Sequence, residues 1–178
     1  MASSSCRALA VVLGFAPVTP AVVPAAAPDP GAYVRTGDAI LKANHWPFTV
    51  ELLSVRHDMR DLPAERSRRA VVELDGDKRL TLHTLRELPT ERLTSWLRDG
   101  LEAAGYRDDE RIRAFLSGFP EGNLRKDEEV VIQYDAAAQL TTVTSDRGAP
   151  VRVDGVSFMR AIWTVWFGKL GDGLVSRL

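Results

Sequence analysis

The run "EEVVIQYDAAAQLTTVTS", residues 128–145, constrains the fold of this chain more than any other stretch. It reads as two strands, "EEVVIQYD" and "QLTTVTS", turned around "DAAA". Two β-prone runs joined by so short a connection form a hairpin, and a hairpin commits its sheet to antiparallel pairing. Upstream, "KRLTLHTLREL" alternates from Lys78, with Leu80 and Leu82 to one side and Thr81 and His83 to the other, the pattern of a half-buried strand. "FTVELLSV", residues 48–55, is apolar enough to predict a strand buried on much of both faces, and "VRV", residues 151–153, adds a short one.

Helical signals occupy much of the rest. Asp61 and Pro63 are expected to open a short helix that "DGD", residues 75–77, ends. Thr90 is the expected cap of a helix reaching residue 104, with Gly105 past its end and Leu93, Trp96, Leu97 and Leu101 in one stripe. Ile112, Phe115, Leu116 and Phe119 repeat that pattern over residues 108–118. Residues 31–44 read as mixed structure with a turn at Gly37. Ser157 should cap the last long helix, Gly168 should end it, and Asp172 should start a short terminal one. In that last helix Phe158, Ile162, Val165 and Lys169 lie near one meridian, and with Trp163 and Trp166 they share a broad face. Its local sequence supplies none of the convergent polar groups a ligand site needs, so the tryptophans are read as core. Burying them stabilises by about 1.5–3 kcal/mol per large side chain. Strands, helices, strands and helices in this order give an α+β fold, an antiparallel sheet packed by a layer of helices.

The first residues read as an address. Arg7 precedes an apolar run over residues 8–16, and small residues follow to about Ala27, the three-part pattern of a signal peptide. The apolar run falls short of the roughly 20 residues that a membrane span needs, and Pro17, Pro20 and Pro24 interrupt any longer helix. Residues 1–27 are therefore expected to be a leader, 28–35 a linker and 36–178 one domain, periplasmic or secreted. Cleavage would remove Cys6, the single cysteine.

Charge and composition exclude several functions. The chain has 23 basic and 24 acidic residues, intermixed, for a net charge of −1, so no nucleic-acid footprint is present. The densest basic cluster, "ERSRR" at residues 65–69, reads as a solvated helix face. The histidines, His45, His57 and His83, have no metal-ligand spacing, so no metal site is expected. His57 with Asp58 and Asp61 reads as a solvated strand end. No Gly-rich phosphate loop follows a strand and no GxSxG occurs, so no cofactor and no serine hydrolase are expected.

Several strings, in order, resemble the bacterial chalcone isomerase-like family: "KRLTLHTLRELPTERLTSWLRDGLEA", "RIRAFLSGFP", "EEVVIQYDAAAQLTTVTSDRGAPVRV" and "VSFMRAIWTVWFG". The similarity runs from about Thr36 to Leu178. It implies an open-faced sandwich with a cleft between sheet and helices. Plant members cyclise chalcones with an arginine after a Gly-x-Gly turn, a threonine on the next strand and polar groups on a helix. Relatives without that activity bind fatty acids, the arginine holding the carboxylate, and many bacterial members have no assigned reaction.

This sequence departs at that arginine. "GDAILK" puts Ala39 at the second glycine and Leu41 at the arginine, with Lys42 beside it. Lysine neutralises an anion without the bidentate fork of arginine. Thr49 in "PFTVEL" matches the strand threonine. The expectation is an exported, non-catalytic binder of a small apolar or fatty-acid-like anion, with Lys42 and Thr49 at its head group. An intramolecular lyase of the chalcone isomerase type and an interaction module with a filled cleft are the alternatives.

Overall fold

A computed structural model describes residues 32–45, 48–174 and 176–178. The expected leader, Cys6 and the first part of the linker lie outside the described residues. Six strands form the main sheet: β1 (Val34–His45), β2 (Phe48–Met59), β3 (Lys78–Thr84), β6 (Glu129–Asp135), β7 (Leu140–Ser145) and β8 (Val151–Asp154). They lie in the order β1-β2-β3-β6-β7-β8 and every neighbouring pair is antiparallel. The short strands β4 (Leu88–Pro89) and β5 (Asn123–Leu124) pair with each other and bracket helices α2 (Thr90–Ala103) and α3 (Asp109–Leu116). Helix α1 (Arg68–Glu73) crosses from β2 to β3, and α4 (Val156–Leu174) closes the chain.

Register makes the sheet one-sided. His57, Leu80, Ile132 and Val143 stand in one cross-strand row, and Val55, Leu82 and Val130 in the next. All seven are buried, because side chains alternate and these rows meet the helices. The helices answer with Leu93, Leu97 and Leu101 of α2, Ile112 and Phe115 of α3, and Phe158, Ile162, Trp163 and Trp166 of α4. Both tryptophans of α4 are fully buried, so they are core, as their spacing predicts. Within residues 48–55, Leu53 and Val55 are buried, Leu52 and Ser54 intermediate and Thr49 and Glu51 exposed, so the expectation of burial on much of both faces is corrected.

Other boundaries also differ. Residues 34–45 form a continuous strand, and Gly37 is no turn. A Cβ there would sit 2.2 Å from the carbonyl oxygen of Gly173, so glycine lets the end of α4 press on β1. The first short helix starts later than expected, capped by Ser67, whose hydroxyl accepts from the Ala70 amide at 3.2 Å. Thr90 is the first residue of α2 and Pro89 its cap position. Helix α4 runs on through Gly168 to Leu174, since its last turn packs on β1 and Arg68 pairs with Asp172. Tertiary contact outweighs the roughly 1 kcal/mol propensity penalty of one glycine.

Candidate functional site

The interior between sheet and helices is filled by its own side chains. Phe158 packs edge-on against Phe115 and Tyr106, and Trp166 against Trp96, with ring centroids 5.3, 5.3 and 5.0 Å apart. An opening remains at the edge of this interior, where β1 and β2 meet α2. A cleft of about 260 Å³ lies there, with Leu41, Leu52, Leu88, Leu93 and Trp96 as its apolar lining. Leu52 reaches it through an irregularity: Leu41 pairs with Leu53 and Lys42 with Glu51, so Leu52 is an extra residue in β2.

The two charged residues lining the cleft are Lys42 and Arg92, both exposed cations. Lys42 Nζ stands 2.9 Å from the Glu51 carboxylate across the β1–β2 pair. Leu41, at the position where the resemblance calls for arginine, is part of the apolar lining. Arg92 comes from a different element, which is why matching the β1 motif alone misses it. Its signal lies in α2: Arg92 precedes Leu93 and stands four residues before Trp96, beside the apolar stripe. Thr49 is exposed, opposite Asn44 in the register, and it does not line this cleft.

A second polar constellation is buried deep behind the sheet. An irregularity at Thr36, between the Arg35–Asp58 and Gly37–His57 pairs, turns the Thr36 hydroxyl toward His57 Nδ1 at 2.5 Å. On the other side of the ring, the Trp163 indole N–H donates to His57 Nε2 at 2.9 Å. Both ring nitrogens are thus engaged. Desolvation, with the nearby Lys78 charge, holds His57 down to about 3, so it is neutral. Lys78 is itself buried and donates from Nζ to the carbonyls of Val71 at 2.8 Å and Leu74 at 2.7 Å. It lies 5.3 Å from the centre of the Trp163 ring, and burial lowers it to about 7.

On the open face, Asp58 is buried among guanidinium groups: Arg79 Nε at 3.1 Å, Arg56 Nε at 3.5 Å and Arg35 Nε at 3.6 Å. The expectation of a solvated strand end is therefore corrected at His57 and Asp58, while Asp61 is exposed. His57 faces the core and Asp58 the arginines, because adjacent strand residues point to opposite faces. Among the described residues, no group of three or more His, Cys, Asp or Glu could hold a metal ion. No helix described is long and apolar enough to cross a membrane.

The fold is the chalcone isomerase-like α+β fold: one antiparallel six-stranded sheet with helices packed on one side. Among solved structures, a fatty-acid binding protein of Arabidopsis thaliana is similar to it, with a TM-score of 0.64 over 76% of this chain and 80% of that one, at 15% sequence identity. No family model and no curated protein matches the sequence.

Proposed function

We propose that this chain is an exported, non-catalytic binder of a small apolar carboxylate, and a bacterial member of the chalcone isomerase-like family. The ligand's apolar part rests on Leu41, Leu52, Leu88 and Trp96, and its charge lies near Lys42 and Arg92. One observation carries the reading: the edge cleft is apolar and its charged lining residues are both cations. An amphiphilic anion matches that arrangement in shape and in sign. The fatty-acid binding protein of similar fold supports the ligand class. Thr49 is left out of the head-group contacts because it does not line the cleft. Export rests on the leader pattern of residues 1–27.

What supports a non-catalytic role is the cleft lining. It holds no carboxylate, histidine or tyrosine to move a proton, and His57 is buried with both nitrogens engaged. The two cations do favour one alternative, an intramolecular lyase in which Lys42 and Arg92 stabilise a developing phenolate. Native mass spectrometry and thermal shift with octanoate test the first reading: a one-to-one complex and a raised melting temperature are expected, and no binding at high-micromolar octanoate removes it. Chalcone turnover above background, abolished in Arg92→Ala, would replace the binder with the enzyme. Full-length protein found only in the cytoplasm would remove export.

A further inference from the structure

The cleft does not stand alone along α2. A second, larger hollow of about 430 Å³ opens between α2 and α4, lined on α2 by Trp96, Asp99, Gly100 and Ala103 and on α4 by Val165 and Gly168 among others. The edge cleft takes Arg92, Leu93 and Trp96 from the same helix. Residues 92/93, 96, 99/100 and 103 recur at helical spacing, so the two hollows lie end to end along one face of α2. That face is about 16 Å long at 1.5 Å per residue. Trp96 is the one residue lining both hollows, and it is only half-buried. Its ring is braced edge-on by the fully buried Trp166 at 5.0 Å, which fixes its side of the helix. Beyond it the wall on α2 is Asp99, Gly100 and Ala103, and on α4 Val165, Gly168 and Lys169 face them, so an acyl chain past Trp96 meets no other aromatic side chain.

We infer that Trp96 is a partition that sets ligand length. Its indole closes the far end of the cationic cleft, so that a carboxylate seated at Lys42 and Arg92 can extend only as a short acyl chain or a single ring. The hollow between α2 and α4 is the compartment a longer chain would enter once the ring is removed. The inference rests on the binding reading above and adds the size of the ligand and the residue that limits it.

Isothermal titration of the mature chain with octanoate and with myristate tests it. Each methylene that gains burial is worth roughly fourfold in affinity, the factor corresponding to about 0.8 kcal/mol. In the unmodified chain, myristate is expected to bind no tighter than octanoate. In Trp96→Leu, which keeps an apolar contact for Trp166, myristate should bind more than about tenfold tighter than octanoate. Trp96→Phe, a milder change in case the first does not fold, should give a smaller gain in the same direction. Adding Ala103→Trp to Trp96→Leu refills the second hollow at an exposed position. It should cancel the myristate gain while leaving octanoate unchanged. If octanoate binds but the myristate-to-octanoate ratio is the same with and without Trp96, the partition is overturned and the binding site stands. If neither acid binds any variant, the binding site falls and the partition with it.

Discussion

The indole N–H of Trp163 donates to Nε2 of His57 at 2.9 Å, and that bond fixes the histidine's tautomer. Indole is only a donor, so Nε2 must be unprotonated and Nδ1 carries the hydrogen that faces Thr36. Protonating the ring would set two N–H groups against each other inside the core. His57 is held down to about 3, against an ordinary value of 6.5, so between those values the unfolded chain binds more protons than the folded one. Its contribution is complete above pH 6.5 and is lost as pH falls toward 3. Urea unfolding at pH 6.5 and 5 should therefore lose about 1.4 kcal/mol per pH unit, and His57→Gln should flatten that slope. An unchanged slope in the variant would assign the acid sensitivity to other groups.

Lys78 extends the same effect to the alkaline side. Burial lowers it to about 7 from an ordinary 10.5, while three carbonyls at the end of α1 accept from its Nζ. The unfolded chain again holds the extra proton, now between pH 7 and 10.5. Stability is expected to rise from pH 7 to pH 9 by about 1.4 kcal/mol per unit, and Lys78→Met should abolish the rise. The same variant leaves those carbonyls without their donor and should cost about 1–3 kcal/mol at pH 7, with hydrogen exchange accelerated first in α1.

The contact of Gly37 with Gly173 gives a steric prediction. A methyl group at residue 37 would lie 2.2 Å from the Gly173 carbonyl oxygen, and one at residue 173 would lie 2.6 Å from the Asp38 carbonyl oxygen. Backbone blocks backbone, so no rotamer relieves either clash. Gly37→Ala should cost about 1–3 kcal/mol in thermal unfolding and expose the last turn of α4 to limited proteolysis. A variant as stable and as protease-resistant as the parent would mean that this turn does not pack on β1.

Local pattern was legible in the sequence wherever it also decided the packing. The stripe Leu93, Leu97, Leu101 and the alternation of Leu80 and Leu82 face the core as their spacing requires. Long-range contact was not legible. Gly37 resembles a turn residue until α4 is known to reach it, and Gly168 resembles a helix end until β1 supports the next turn. The site divides the same way. Lys42 was found because its neighbours in sequence carry a family pattern, whereas Arg92 joins it only through the docking of α2 beside β1 and β2. His57 and Asp58 looked like a solvated pair because one residue of sequence hides the whole thickness of a sheet between them.

At the cleft, Lys42 already has an anionic partner. Glu51 stands 2.9 Å from Lys42 Nζ, and both side chains are about half exposed, so the pair is solvent-screened and worth little by itself. On the proposed reading, a ligand carboxylate would share Lys42 with that acid or displace it. Glu51→Gln removes the competitor and should tighten octanoate binding up to about fivefold, the range an exposed ion pair spans. Lys42→Ala and Arg92→Ala should each weaken it by a similar factor, and their combination should remove most of the salt dependence between low and high ionic strength. Titration calorimetry at two salt concentrations reads all of these. If Glu51→Gln weakens binding, the acid orients Lys42 and does not compete for it. If the double variant binds octanoate as tightly as the parent at low salt, the head group lies elsewhere and the apolar lining alone selects the ligand.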